Sequence, residues 1–468
     1  AKMRGAKAAS RKAISIKHPV DSCIQPTGSL ARVYSSSDGD QVGAGLGSQQ
    51  LSQQRSYKKP HFEPERCLPR LLSSMMGCGR YPPPTMDEPI PLLDLTLQYR
   101  ALAADLLPQV EALLASGQYI GGGAVRRFEE LFSQFLGGGD LETVGCNSGT
   151  DALVLALRAL GIQAGDEVIT TAFSFFASAE AIDLVGARPV FVDVDPCTFN
   201  LDPQLLEKSI SPCTRAVVVV HLFGQAANLT EIVAIARRHG LAVIEDCAQA
   251  VGACWGGRPV GTWGDLGCFS FFPTKNLGAA GDGGAVVTRD AHLARQVRIL
   301  KEHGQTHQYQ HEYIGLNSRL DALQAVILSV KLSHLREWNW RRQGIAESYH
   351  RLLHGIPGLI LPQVAVGGNS VWHQYTVRVP GSHPTDSRRR DAVQRQLQER
   401  GIASRVYYPI PLHLQPVYRK KLGYKPGDLP NAELCAAQVL SLPCFPELTL
   451  RQQERVAVAI AEILSEEP

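Results

Sequence analysis

The chain has 468 residues, of which 44% are hydrophobic and 19% are charged, a composition typical of a folded protein. Its formal net charge of +3 gives no electrostatic argument for a nucleic-acid-binding protein. No apolar run reaches the roughly 18 residues that a transmembrane helix needs. We therefore expect a protein that binds neither nucleic acid nor membrane.

Residues 1–85 differ in composition from the remainder. They carry 13 Lys+Arg against 5 Asp+Glu, whereas the remainder carries 34 against 39. The segment is rich in Ser, Gln and Gly and lacks sustained apolar periodicity, so it buries too little to offset chain entropy. We expect a disordered or non-native N-terminal extension. Residues 3–37 resemble a transit peptide, but a true start at Met86 is the favoured interpretation.

The 11 cysteines are odd in number and include no CxxC pair. Cys146, Cys247 and Cys268 lie inside apolar runs, which predicts buried, reduced side chains. This usage favours a reducing, cytoplasmic compartment over a disulfide framework.

From residue 143 onward, apolar strand-like segments alternate with helical ones, as in α/β proteins. Several strands are continuous apolar runs, typical of a parallel sheet covered on both faces. Helices are predicted at 150–160 and 229–239, each ending before a glycine. The last two strands are too close for a crossover helix, so we expect them to be antiparallel. The predicted strands are 143–147, 167–171, 189–194, 215–221, 241–245, 267–272 and 284–288.

A second, smaller α+β domain is expected after residue 330. A long helix over 321–353 leads into it, so we place a large domain at 86–330 and a small one at 331–468. The predicted elements of the small domain are a strand at 373–378, a helix at 387–400, a strand at 402–407 and a helix at 449–464.

Three polar segments follow predicted strands, where ligands bind in open α/β sheets. The segment 147–151 (NSGTD) opens a helix, which makes it either an anion site or a plain helix cap. In 245–249 (EDCAQ), Asp246 can hold a protonated ring nitrogen or a metal, or simply cap the next helix. In 270–278 (SFFPTKNLG), Lys275 is a candidate for Schiff-base chemistry, because desolvation favours the neutral amine. The alternative for Lys275 is an ordinary snorkelling lysine.

The three segments together fit one cofactor. Pyridoxal 5′-phosphate needs a lysine for its aldehyde, a carboxylate for its pyridine nitrogen and a cup for its phosphate. Gly149, Thr150 and Ser270 would form the cup, beside Asp246 and Lys275.

The sequence closely resembles the DegT/DnrJ/StrS family of nucleotide-sugar aminotransferases over residues 88–465. The resemblance implies the pyridoxal-phosphate-dependent transferase fold type I, with a mostly parallel seven-stranded sheet in a large domain and a smaller C-terminal α+β domain. It also implies bound pyridoxal 5′-phosphate and a homodimer with shared active sites. Seven segments carry it: 147–153, 164–168, 244–250, 269–284, 315–325, 402–416 and 441–448.

The resemblance also assigns roles by position. Lys275 corresponds to the Schiff-base lysine, Asp246 to the partner of the pyridine nitrogen and Gln249 to its companion near the ring oxygen. Gly149, Thr150 and Ser270 correspond to the phosphate cup, and Asn317 to a residue reaching the phosphate from the neighbouring subunit. Phe175 corresponds to the aromatic residue that stacks on the ring, with Phe173 and Phe176 as alternatives.

Within the family, the segments most resemble enzymes that aminate C3 of a UDP- or dTDP-linked 3-oxo sugar, with glutamate as the expected amino donor. The presence of Lys275 argues for transamination over the dehydrase chemistry of relatives without it. Amination of a 4-oxo sugar, a dehydrase and a regulatory protein of the same fold remain alternatives. Candidate substrate-binding residues are Arg319, His373, Tyr407, Tyr408 and His413, with Tyr407 standing where relatives often carry His.

His303, His307 and His311 have the spacing of stacked metal ligands on a helix. Gly304 and the surrounding glutamines make a poor helix, and the resemblance implies an extended loop here. We therefore expect no metal site.

Overall fold

The computed structural model describes residues 88–466, so the expectations for residues 1–85 lie outside the described part. The strands are β1 (Glu142–Cys146), β2 (Glu167–Thr171), β3 (Arg188–Val192), β4 (Thr214–Val220), β5 (Ala242–Asp246), β6 (Cys254–Trp255), β7 (Arg258–Pro259), β8 (Leu266–Ser270), β9 (Gly284–Thr288), β10 (Gln305–His307), β11 (Gln310–His311), β12 (Tyr375–Arg378) and β13 (Val439–Leu442). The helices are α1 (Leu95–Ser116), α2 (Gly122–Phe135), α3 (Gly149–Ala159), α4 (Ala177–Leu184), α5 (Pro203–Leu206), α6 (Leu229–Arg238), α7 (Ala291–Leu300), α8 (Ala322–Leu353), α9 (Arg388–Glu399), α10 (Pro416–Leu422), α11 (Pro430–Gln438) and α12 (Leu450–Glu466).

A seven-stranded sheet organises the fold, in the order β1-β9-β8-β5-β4-β2-β3. All seven predicted strands are confirmed, within two residues at their ends. The neighbours from β8 to β3 are parallel. Strand β9 is antiparallel to both β8 and β1, as the short β8–β9 connection predicted.

Apolar side chains alternate between the two faces of the sheet, because successive residues of a strand point in opposite directions. In β4, Val217 and Val219 join one buried cluster with helices α2 and α8. Ala216 and Val218 join another cluster with helix α3. The sheet is thus covered on both faces, which explains the continuous apolar runs in the sequence.

Helix α8 passes from the sheet into a separate C-terminal core. Its first half, including Leu328 and Leu335, packs on the sheet cluster. Its second half, including Ile345 and Tyr349, packs with β12, β13, α9 and α12. Ile90 also joins this C-terminal core. The domain boundary at 330/331 stays a prediction, since one continuous helix crosses it.

The predicted strand at 402–407 is wrong. The segment makes only isolated backbone pairings, at Ile402 with Ile90 and at Arg405 with Ser441. Strand β13 pairs with β12 over four residues and meets this segment only at Arg405. The segment then leaves the ladder toward Pro409 and Pro411, which have no N–H to donate.

Three other expectations can be compared with the structure. Residues 305–311 form a short antiparallel hairpin, β10–β11, as the extended interpretation of the histidine segment predicted. Cys146, Cys247 and Cys268 are buried and free, which confirms their predicted state. Among the described residues, no helix combines the length and apolar character needed to cross a membrane.

Candidate active site

A cleft of about 470 Å³ lies at the carboxyl ends of the parallel strands. Strands β2, β4, β5 and β8 all lead into it, because parallel strands end at the same edge of a sheet. It brings together ten of the sequence-predicted site residues: Gly149, Thr150, Phe175, Asp246, Gln249, Ser270, Lys275, His373, Tyr407 and Tyr408.

The N-terminus of helix α3 forms one wall of the cleft. Ser148 caps the helix, its Oγ accepting the N–H of Asp151 at 3.1 Å. The N–H groups of Gly149 and Thr150 make no hydrogen bond within residues 88–466. A Cβ on Gly149 would lie 2.6 Å from the Cβ of Ser270, so only glycine lets the helix approach β8. Free N–H groups at a helix N-terminus favour a bound anion.

Asp246 ends strand β5 and is 6% exposed. Its Oδ2 accepts from Ser178 Oγ at 2.8 Å, and its Oδ1 accepts from the Ala248 N–H at 3.1 Å. Ser178 Oγ also contacts Ser174 Oγ at 2.9 Å. These bonds fix the carboxylate and leave part of its acceptor capacity free. Sequence reasoning missed Ser174 and Ser178; their i, i+4 spacing at the start of α4 was the available signal.

Gln249 links the sheet domain to the segment that carries Tyr408. Its Oε1 accepts the Phe223 N–H at 2.6 Å and its Nε2 donates to the Tyr408 hydroxyl at 3.1 Å. Burial raises the pKa of Tyr408, so the phenol stays protonated at neutral pH. Both side chains are thereby held at the wall of the cleft.

The Lys275 side chain lies in the cleft, and its Nζ makes no hydrogen bond within the described residues. Burial lowers its pKa to about 8, although the charge of Asp246 acts in the opposite direction. Desolvation disfavours an ammonium ion that lacks a partner. Near neutral pH this amine therefore has a substantial neutral, nucleophilic fraction.

Two other lysines, Lys301, which is buried, and Lys331, which is partly buried, have partners. Lys301 Nζ donates to the Gly145 carbonyl at 2.7 Å. Lys331 Nζ donates to the Gly278 carbonyl at 2.7 Å, and burial lowers its pKa to about 8. Neither lines the cleft. A lowered pKa alone therefore does not single out Lys275; its position and its unpaired amine do.

The three candidate aromatic residues after β2 have different environments. Phe173 is fully buried, and Phe176 is partly buried against Tyr418. Phe175 is 57% exposed and lines the cleft. Of the three, Phe175 is the side chain placed to meet a ligand ring.

A model of the DegT/DnrJ/EryC1/StrS aminotransferase family matches residues 101–461. The chain belongs to this family. The resemblance found in the sequence is thereby confirmed.

Two curated relatives illustrate the family. The "pleiotropic regulatory protein" of Geobacillus stearothermophilus is 47% identical, over 80% of this chain and 98% of that protein. The UDP-N-acetyl-3-dehydro-α-D-glucosamine 3-aminotransferase of Acidithiobacillus ferrooxidans is 45% identical, over 81% of this chain and 99% of that protein.

A solved relative is DesV of S. venezuelae, in complex with a ketimine intermediate. It is 43% identical and superposes with a TM-score of 0.77, over 81% of this chain and all of that chain. The predicted fold class, the α/β fold type I of pyridoxal-phosphate-dependent transferases, is confirmed.

Three predicted site residues do not line the cleft. Asn317 lies beside Arg319, whose guanidinium donates to Asn317 Oδ1 at 2.5 Å and to Glu302 at 2.7 Å. His413 is fully buried and contacts Glu433 at 3.2 Å. The family roles expected for Asn317, Arg319 and His413 stay predictions.

One group of close potential metal ligands occurs among the described residues: His221, Glu245 and Cys247, all buried. His221 Nδ1 accepts the Ala227 N–H at 3.0 Å, so its Nε2 carries the proton and donates to Glu245 at 3.1 Å. Glu245 also accepts three backbone N–H groups, from Gly261, Trp263 and Gly264. The polar atoms of His221 and Glu245 are thus occupied within the protein, as in a structural network.

Arg405 is a cleft residue that the sequence reasoning did not select. It is exposed, lines the cleft, and its guanidinium makes no hydrogen bond or ion pair within residues 88–466. It also borders a second cavity of about 780 Å³ between α9 and the segment 405–414.

Proposed function

We propose that this protein transfers an amino group from an amino acid, expected to be glutamate, to C3 of a UDP- or dTDP-linked 3-oxo sugar. The observation that carries the proposal is the unpaired amine of Lys275 beside Asp246 in a cleft that a helix N-terminus borders. Family membership and the name of the 3-aminotransferase relative support the reaction and its position. Surface polysaccharide or natural-product sugar biosynthesis would use the product.

The side chains of the cleft fit pyridoxal 5′-phosphate. The N–H groups of Gly149 and Thr150, with Ser270 Oγ, would bind the phosphate. Asp246 would pair with the protonated ring nitrogen, and Phe175 would cover the ring. Bound in this way, the cofactor would supply an electron sink for chemistry at the amine-bearing carbon.

The protein's own contribution centres on Lys275. Its Nζ is placed to bind the cofactor aldehyde and, once free, to accept a proton and return it. A pKa of about 8 suits this task, because a group that titrates near the working pH both gains and loses a proton readily. The Asp246 carboxylate, fixed by Ser178, would keep the ring nitrogen charged. Gln249 and Tyr408, which are hydrogen-bonded to each other, would help to orient the bound cofactor and substrate in the cleft.

The working unit in this proposal is a homodimer with shared active sites. Asn317 and Arg319, which lie away from the cleft of their own subunit, would reach the active site of the partner. Mixed dimers of Lys275→Ala and Asn317→Ala subunits would then contain one intact site and recover activity. Isolated heterodimers that stay inactive, although each parent variant is defective, would exclude sharing.

A panel of substrates tests the function. Purified protein, saturated with pyridoxal 5′-phosphate, is incubated with glutamate and 3-oxo or 4-oxo nucleotide sugars, and 2-oxoglutarate and the amino sugar are quantified. We expect turnover with 3-oxo sugars. Preference for a 4-oxo sugar would move the proposed position of amination from C3 to C4. Loss of water from the sugar would identify a dehydrase.

A regulatory role is a second candidate, favoured by the name of the Geobacillus stearothermophilus relative. It predicts cofactor binding without turnover on any member of the panel. If glutamate and an oxo sugar shift the visible absorbance in opposite directions, regulation is excluded as the protein's sole role.

A further inference from the structure

His373 lines the cleft beside Lys275, and its surroundings determine which ring nitrogen carries the proton. Its Nδ1 lies 3.1 Å from Oδ1 of Asn276, the residue that follows Lys275. Its Nε2 makes no hydrogen bond within residues 88–466. The direction of the Asn276 bond therefore decides what His373 presents to a ligand.

The Asn276 amide has one orientation that satisfies its neighbours. Its Nδ2 lies 2.9 Å from the Val371 carbonyl and 2.9 Å from Asn339 Oδ1. A carbonyl oxygen only accepts, so the atom facing Val371 must be the amide nitrogen. Asn339 is oriented in the same way, because its Nδ2 donates to the Val251 carbonyl at 3.0 Å and leaves its Oδ1 to accept.

The orientation of the Asn276 amide determines which nitrogen of the His373 imidazole carries the proton. With both Nδ2 protons of Asn276 committed, its Oδ1 faces His373 and can only accept, so His373 Nδ1 carries a proton. Burial and the positive charges of Lys275 and Arg342 hold the pKa of His373 well below its usual value. The ring is therefore neutral, and its Nε2 is a lone-pair acceptor on a residue that lines the cleft.

We propose that Asn276, oriented by the Val371 carbonyl, is a positioning residue that locks His373 as a hydrogen-bond acceptor for a hydroxyl or amide N–H of the sugar ring. The inference rests on the proposed function. Sugar hydroxyls and acetamido groups donate hydrogen bonds, whereas the carboxylates of an amino-acid donor only accept. A fixed acceptor at this position therefore disfavours the carboxylates of the amino-acid donor and favours a hydroxyl or amide N–H of the sugar.

Two matched variants separate this role from a structural one. In His373→Asn, the amide nitrogen takes the place of Nδ1 and keeps the bond to Asn276, but no group replaces Nε2. In His373→Gln, the amide reaches the Nε2 position and offers an acceptor there, but the bond to Asn276 is lost. The two half-reactions of the holoenzyme are measured separately, with glutamate and with UDP-N-acetyl-3-dehydro-α-D-glucosamine.

We expect His373→Asn to lower kcat/KM for the sugar about tenfold, the value of one well-placed hydrogen bond, and to leave the glutamate half-reaction unchanged. His373→Gln should be less impaired with the sugar. The opposite order, with His373→Asn close to wild type, would overturn the proposal and leave His373 a structural role. An equal loss in both half-reactions would also overturn it.

The lock itself has a readout that does not depend on activity. In histidine-selectively ¹⁵N-labelled holoenzyme, the ring signals assigned by their loss in His373→Asn should show a protonated Nδ1 and an unprotonated Nε2 at neutral pH. Asn276→Ala should yield a mixture of tautomers. Asn339→Ala should preserve the wild-type tautomer, because Val371 still orients Asn276. A protonated Nε2 in the wild type would overturn the inference even if the proposed reaction is confirmed, and absence of sugar turnover with the predicted tautomer would overturn the function instead.

Discussion

Strand β5 ends in two carboxylates that lie on opposite faces of the sheet and differ in their hydrogen-bond partners. Glu245 is fully buried on one face of the sheet and accepts hydrogen bonds from His221 and three backbone N–H groups. Asp246 lies on the other face, at the cleft, and among residues 88–466 its side chain accepts only from Ser178 and Ala248. The backbone pleat separates them, because successive side chains of a strand point to opposite faces.

The difference shows how a structural charge and a functional one can be distinguished when both are buried. A structural carboxylate has its acceptor capacity used by the protein, since an unsatisfied buried charge is costly. Asp246 keeps capacity for a ligand. The lysines show the same contrast, because Lys301 and Lys331 donate to backbone carbonyls, whereas Lys275 Nζ has no partner in the described part of the chain. The following predictions test this distinction.

The largest effect is expected at Lys275. Lys275→Ala should lower kcat by at least ~10³-fold, because it removes both the cofactor's amine and the group that moves a proton. Lys275→Arg keeps the charge and cannot readily give up a proton, so it should fail in both half-reactions. Stopped-flow absorbance with glutamate and with the oxo sugar measures each half.

Lys331→Met is the matched control for Lys275, since it removes a second, partly buried lysine of lowered pKa. It should retain both half-reactions in the folded protein. Normal half-reactions in Lys275→Arg, or their loss in Lys331→Met at unchanged stability, would show that the unpaired amine was the wrong criterion.

The two β5 carboxylates should separate activity from stability. Asp246→Asn should keep the folding free energy and lower kcat by about 10²- to 10³-fold, because a neutral amide no longer favours a protonated ring nitrogen. Glu245→Gln should destabilise the protein by about 1–3 kcal/mol, because its amide sets a donor against a backbone N–H that needs an acceptor. Steady-state turnover and urea unfolding of both variants provide the comparison. Equal losses of activity in the two would contradict the division.

Much of this contrast could be predicted from the sequence, and part of it could not. The strands, Asp246 and Lys275 follow from local patterns, because apolar runs and family motifs are contiguous in the chain. Ser178 was missed because its contact with Asp246 joins distant segments of the chain. Arg405 was missed because its place in the cleft depends on how the chain after α9 folds back to the sheet. The strand expected at 402–407 was wrong because the segment pairs only at single residues, Ile402 with Ile90 and Arg405 with Ser441 of β13, and local propensity does not determine such long-range pairing.

The pKa of Lys275 predicts the pH dependence of cofactor uptake. The neutral amine dominates above a pKa of about 8, and its fraction falls about tenfold for each pH unit below that value. In cofactor-free protein, the rate of pyridoxal 5′-phosphate addition should therefore change only about twofold from pH 9 to 8 and fall about 50-fold from pH 8 to 6. Visible absorbance after mixing measures the rate. A rate that continues to rise tenfold per unit up to pH 10 would indicate an ordinary lysine and an amine exposed to water.

The smallest effect is expected at Arg405. Here the distinction between charges that have partners within the protein and charges that do not is applied to an exposed side chain. Its guanidinium has no ion-pair partner within residues 88–466, and Arg405 lines both the cleft and the neighbouring cavity, so we expect it to meet the diphosphate of the nucleotide sugar. Arg405→Gln should raise KM for the sugar about tenfold and leave the glutamate half-reaction unchanged. Arg188→Gln is the control, because Arg188 is exposed but already paired with Glu167 at 3.1 Å. Since exposed charges are screened by salt, the difference between the two variants should shrink at high ionic strength. An equal KM for both variants at low salt would show that an unpaired charge marks a ligand site only where it is buried. There, desolvation makes a charge without a partner costly.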